Sequence, residues 1–113
     1  MILRRSSIEI QAREGGIFLP EIDLWLDPRG NEDHAFISHA HADHFSRPKK
    51  AFCSPETAAL LMSRFGNPAE SLEVISWEEV RAMDGWEIRL LPAGHIVGSA
   101  MLHLTRLRDD ATL

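Results

Sequence analysis

The run "HAFISHAHADHF", His34 to Phe45, constrains this chain more than any other stretch. It joins a short apolar segment, His34 to Ser38, to a loop with three histidines and an aspartate between His39 and His44. An apolar run after the turn cluster "DPRGNED" reads as a buried strand, so the histidine loop starts where a strand ends. Open α/β sheets place their chemistry at such ends. In an extended loop, residues two apart point to one side, so His39 and His41 can aim ring nitrogens at one ion about 2.0–2.1 Å away. Asp43 continues that spacing, and His44 turns to the neighbouring direction. Four such groups strain around a single tetrahedral ion but divide between two ions about 3.5–4 Å apart, which suggests a dinuclear site.

Each ion needs further ligands. His95, in "LPAGHIVGSA", also follows a strand directly, and Gly94 and Gly98 let the backbone come close to whatever it binds. His95 is therefore the expected partner of the loop. His34, assigned to a polar turn, and His103, on a strand face between Met101 and Thr105, are expected to be structural. His34 is close enough in sequence to support the loop from behind. Asp27 precedes Pro28 at the end of a strand and has two readings: a turn residue, or a carboxylate that orients the histidine loop.

A length of 113 residues favours one domain with a modest core. Hydrophobic residues make up 44% and charged ones 26%, as in ordinary globular proteins. No apolar run approaches the roughly 18 residues of a membrane helix, and arginines occupy the place of a signal peptide's apolar stretch. A cytoplasmic protein with no membrane partner is expected. The single cysteine, Cys53, excludes an internal disulfide and leaves any metal to histidines and carboxylates; it reads as a small buried residue at a strand end. The net charge of −5 gives no general attraction for nucleic acid. The basic cluster "RPKK", with Arg47, Lys49 and Lys50, is either a solvated turn or a local means of steering phosphate.

Period-two alternation marks strands over Ile8 to Arg13, with "EGG" as a turn after it, and over Ile22 to Asp27. "SPETAALLMSRFGNP" is the clearest helix: Ser54 caps, Pro55 suits its first position, and Gly66 with Asn67-Pro68 stops it. Ala58, Leu61, Met62 and Phe65 are expected on its apolar face. Further strands are expected over Leu72 to Ser76, Trp86 to Leu91 and Ala100 to Leu107, with a turn at Asp84-Gly85. After the turn "RDDA", the final "TL" reads as the start of another strand, whose hairpin stays half-built. Trp25, Trp77 and Trp86 are expected in the core.

These motifs resemble a known family. "HAHADH" matches the HxHxDH signature of the metallo-β-lactamase fold, and Asp27 stands where that family has its first motif, an aspartate ending an early strand. "AGHIVGSAML" is similar to the third motif as the β-CASP nucleases carry it. Together with "SPETAALL", the set most resembles bacterial mRNA 3′-end processing factors and DNA-ligase-associated exonucleases, and it covers nearly the whole chain. The resemblance implies that His39, His41 and His95 hold one zinc, that Asp43 and His44 contribute to a second, and that Asp43 also orients the attacking water. It implies hydrolysis of a phosphodiester in RNA or DNA without a covalent intermediate. The His-rich first site favours zinc over manganese.

The departures are equally informative. The family's fourth motif, an aspartate bridging both metals after the next strand, does not appear before Leu113, and Asp109 and Asp110 fall in the turn ahead of that strand. The β-CASP cap, a late histidine and the second half of the sandwich do not appear either. The expected fold is thus α/β, the N-terminal half of a metallo-β-lactamase αβ/βα sandwich, with residues 1–113 as a partial domain. Two ions are expected in the complete fold, one or none in this chain alone, with no turnover and with the missing half as its partner. Two other readings stay open: a truncated metal-binding fragment without catalysis, and a thioester or lactone hydrolase of the same fold.

Overall fold

The computed structural model describes residues 8–28, 32–40, 48–66, 71–93 and 99–113. Strands β1 (Gln11–Arg13) and β2 (Gly16–Leu19) form an antiparallel hairpin across the expected "EGG" turn. Gly16 closes it with φ at 139°, and a Cβ there would come within 3.3 Å of the Pro28 backbone. Only glycine suits that backbone and that approach. β3 (Leu24–Leu26) is shorter than its alternation suggests, because Asp23 and Asp27 adopt positive φ of 54° and 45° and turn the chain at both ends. Aspartate tolerates that conformation better than most side chains. β4 (His34–Phe36), β5 (Lys50–Cys53) and β6 (Ser71–Val74) continue the sheet, each parallel to its predecessor, in the order β1-β2-β3-β4-β5-β6.

Helix α1 (Pro55–Phe65) makes the crossover from β5 to β6. Its ends are as the sequence predicts. The Ser54 hydroxyl accepts the Thr57 N–H at 3.2 Å, Pro55 opens the helix, and Gly66, at φ 72°, donates its N–H to the Met62 carbonyl. One expectation is overturned: Met62 is 57% exposed and not core. The helix meets a single layer, and Ala58 and Leu61 fill the stripe facing Ile37, Ala51 and Cys53. Met62, one position round from Leu61, falls past the edge of that stripe.

A second sheet is wholly antiparallel, in the order β10-β9-β8-β7: β7 (Arg81–Met83), β8 (Trp86–Pro92), β9 (Ala100–Arg106) and β10 (Ala111–Thr112). Asp84 and Gly85 both take positive φ, 39° and 84°, as a two-residue hairpin between right-twisted strands requires. The expected final strand is present as β10 and pairs with β9, Ala111 opposite Arg106. The chain is thus mixed α/β but mostly strand, and among the described residues no helix is long and apolar enough to cross a membrane.

The layers follow from side-chain alternation. Phe36 and Phe52, with Leu19, Leu24 and Ile75, leave one face of the first sheet and meet Trp86, Ile88, Leu90 and Leu104 of the second. Ala51 and Cys53, flanking Phe52, point the other way, to α1. The order is helix, sheet, sheet. Trp86 is buried in this core and Trp77 packs against it, its indole N–H donating to Glu56 at 2.9 Å. Trp25 lies half-buried with its ring 4.9 Å from Phe18.

Arg106 occupies an inward position of β9, its side chain only 5% exposed. Its Nε and Nη2 donate to the two oxygens of Asp109, each at 2.9 Å, and Nη1 donates to Glu21. Two carboxylates offset the cost of placing the cation there. The Arg106 hydrogen bond in turn holds the Glu21 carboxyl below its ordinary range.

Cys53 is fully buried at the end of β5, and burial pushes its thiol up to about 12. The thiolate is the reactive form. A disulfide reagent at mildly alkaline pH is therefore expected to leave Cys53 unmodified in the folded chain and to label it in concentrated guanidinium. Rapid labelling without denaturant would contradict this burial.

Candidate metal centre

Parallel pairing of Leu26 with Phe36 brings the residues that follow β3 and β4 together at one end of the sheet. Asp27 follows β3 and donates its own N–H to the Phe36 carbonyl at 2.9 Å. Its carboxylate turns towards Ser38, accepting the Ser38 N–H on Oδ1 at 2.8 Å and the Ser38 hydroxyl on Oδ2 at 2.6 Å. Ser38 Oγ then lies 2.8 Å from Nδ1 of His39. Asp27 thus turns the chain, at φ 45°, and holds Ser38, the residue before His39.

The proton positions follow from donor and acceptor inventories. A carboxylate only accepts, so the single hydroxyl proton of Ser38 goes to Asp27. Oγ is left to accept, and the Nδ1–H tautomer of His39 is the one that completes this contact. Nε2 is then the ring nitrogen that carries the lone pair, which is the form a metal ion takes.

A second joint lies beside the first. The Ser38 carbonyl accepts the N–H of Ala100, the first residue of β9, at 2.8 Å, and the Ala93 N–H donates to the Ser99 carbonyl at 3.0 Å. The two flanks of the segment 94–98 are therefore hydrogen-bonded to each other, and one is bonded to the residue before His39. A cleft of about 570 Å³ opens at this end, with Gly16, Ile17, Leu26, Asp27, Ser38 and Leu102 on its walls.

His41, Asp43, His44, Arg47 and His95 lie outside the described residues. Among the described residues, no three His, Cys, Asp or Glu side chains gather as a metal site. Two of the basic residues assigned to phosphate steering sit elsewhere. Lys50 opens β5 opposite His34, and Lys49 pairs with Asp33 at 3.3 Å. From His34 to Ser38 the chain rises roughly 13 Å at about 3.3 Å per residue, so both lysines stand at the far end of the strands. The structure does not bring Lys49 or Lys50 to Ser38.

His34 is corrected for the same reason. It begins β4, as the strand reading of His34 to Ser38 has it and the polar-turn reading does not, and lies at the opposite end of that strand from Ser38. Its ring stacks obliquely on Phe52 at 5.7 Å, and burial pushes its imidazole below the ordinary range, opposed by Glu73. His103 pairs with Arg89 in the second sheet, as its structural reading expects. The residue that sequence reasoning missed is Ser38. The available signal was a hydroxyl residue placed directly between a strand's last apolar residue and its first histidine.

No family model matches the chain. It is similar to a protein named "Probable DNA ligase" from Opitutus terrae, 38% identical over an alignment of 89 residues that takes in 75% of this chain and 8% of that protein. It is also similar to an "RNase J-like protein" from Methanocaldococcus jannaschii, 26% identical over an alignment of 129 residues that takes in 88% of this chain and 30% of that protein. The chain thus spans less than a third of the length of either relative.

Proposed function

We propose that this chain carries the opening part of a zinc-dependent phosphodiester hydrolase, a nuclease of metallo-β-lactamase fold in the β-CASP branch. The observation that carries this reading is the hydrogen-bonded sequence from Asp27 through Ser38 to His39, at the mouth of "HAHADH". It prepares Nε2 of His39 for a metal before any metal arrives. In support, the helix–sheet–sheet layering is compatible with half of an αβ/βα sandwich, and the names of both relatives belong to nucleic-acid processing.

In this reading His39, His41 and His95 hold one zinc, and Asp43 and His44 contribute to a second. A histidine set with few carboxylates suits zinc. Bound zinc would supply a water with a pKa near neutrality and offset charge on phosphate oxygens. The chain's own residues do the rest. Asp27 and Ser38 hold the His39 ring, the joint from Ser38 to Ala100 keeps the flank of the His95 segment beside it, and Asp43 orients the attacking water. The cleft walled by Gly16, Ile17 and Leu102 offers the strand a place to lie.

The test is zinc content and cleavage of end-labelled RNA and DNA by the native protein carrying this sequence, isolated from its source cells. Cleavage that a chelator stops and zinc restores is expected. A native product that holds zinc yet cuts neither polymer would refute the nuclease reading.

A further inference from the structure

Ser38 is engaged through every polar group it has. Its N–H and its hydroxyl donate to the two oxygens of Asp27, its Oγ receives His39 Nδ1, and its carbonyl receives the N–H of Ala100. The first three bonds look towards one sheet and the fourth reaches the other. We infer that Ser38 is a positioning residue: it dictates which nitrogen of His39 faces the metal, and it ties that choice to the strand following the His95 segment. The inference rests on the metal reading above and deepens it, by giving the Ser38 hydroxyl the choice of His39 tautomer and its carbonyl the tie to the second sheet.

The mechanism makes a specific chemical demand. The direction of the chain of protons is set at its far end, by an Asp27 that can only accept. Asp27→Asn keeps every heavy atom in place, and asparagine is at ease at the φ of 45° found there. Its carbonyl oxygen would still accept the Ser38 N–H, but its amide would donate to Oγ. The Ser38 hydroxyl proton would then swing to Nδ1 of His39, leaving the ring proton on Nε2, where a metal cannot bind. The same logic makes an Asp→Asn change in a Ser-His-Asp triad leave geometry intact while imposing the wrong tautomer. Ser38→Ala removes the acceptor for Nδ1–H and lets the ring choose its tautomer, whereas Ser38→Thr retains the hydroxyl.

The experiment uses the 113-residue chain with isotope-labelled histidine. Nitrogen chemical shifts report which ring atom of His39 is protonated, and a competition titration reports zinc affinity. The wild type and Ser38→Thr are expected to hold the proton on Nδ1, while Asp27→Asn moves it to Nε2 and Ser38→Ala gives a mixture. Zinc affinity is expected to fall about 10–100-fold in Asp27→Asn and Ser38→Ala, the usual effect of losing an orienting partner. A wild type that binds zinc, beside an Asp27→Asn variant with unchanged tautomer and unchanged affinity, would overturn the role given to Ser38. A wild type that takes up no zinc, while the tautomer follows the substitutions, would uphold Ser38 as the residue that positions His39 and sink the metal reading instead. Should Ser38→Ala fail to fold, Asp27→Asn and Ser38→Thr carry the comparison.

Discussion

On the nuclease reading proposed above, His39→Ala is expected to remove zinc binding at the first site and, with it, phosphodiester cleavage by the native protein. The loss should exceed about 100-fold in zinc affinity, because partners that merely orient a ligand are already worth about 10–100-fold. Stability should hardly change. His39 lies beyond the end of β4, half-buried, and belongs to neither hydrophobic cluster. The informative pattern is therefore an unaltered urea midpoint together with lost metal and lost activity. His41→Ala and His95→Ala are expected to follow it. Cleavage that survives His39→Ala at the wild-type rate would show that the chemistry lies elsewhere.

Phe52→Ala is expected to have the largest effect on the fold. Phe52 is fully buried, packs its ring 5.4 Å from Phe36, and sits in β5 where the two sheets meet. Large-to-small changes at such aromatic positions cost about 3–5 kcal/mol, from lost transfer energy and from the cavity left behind. Domains of this kind have only about 5–15 kcal/mol in total. Urea denaturation should show a midpoint shifted far down with an unchanged slope, since the same surface is exposed on unfolding. A loss below about 1 kcal/mol would mean that the core collapses around the vacancy more readily than measured large-to-small series suggest.

Periodic segments bounded by their own punctuation could be read from the sequence. Trp86 to Leu91 alternates strictly, and the structure buries Trp86, Ile88 and Leu90 while exposing the residues between. The helix announced itself by Ser54, Pro55 and Gly66, and the β7–β8 hairpin by Asp84-Gly85. Strands that owe their existence to a neighbour were not legible. β7 is Arg-Ala-Met, without pattern, and forms because a tight turn folds it against β8. β2 hides in Gly-Ile-Phe-Leu, a run whose two faces are both partly covered. Arg106 takes the inward position that alternation with Leu102 and Leu104 gives it, but its partner Glu21, 85 residues away, is announced by no local pattern.

The candidate site divides along the same line. His39 and Asp27 were visible because metal-seeking side chains and strand-end aspartates are informative as residue types. Ser38 was not, since a serine acquires meaning only from what its three polar groups touch. Lys49 and Lys50 stand exposed, in keeping with the solvated alternative of their reading. Adjacency in sequence to the histidine loop suggested a shared location, and a parallel strand carried them to the far end.

Two directional contacts described above sit at opposite ends of β9. At Ala100 the strand is hydrogen-bonded to Ser38, and at Arg106 it is ion-paired to Glu21. Between them, among the described residues, Leu102 and Leu104 add apolar packing, which resists separation but is indifferent to direction. A plate held by one pin can still swivel; a second pin, roughly 20 Å away at about 3.3 Å per residue, removes the rotation. The angle between the sheets, and so the alignment of the histidine end, is set partly by a guanidinium that no substrate would ever meet.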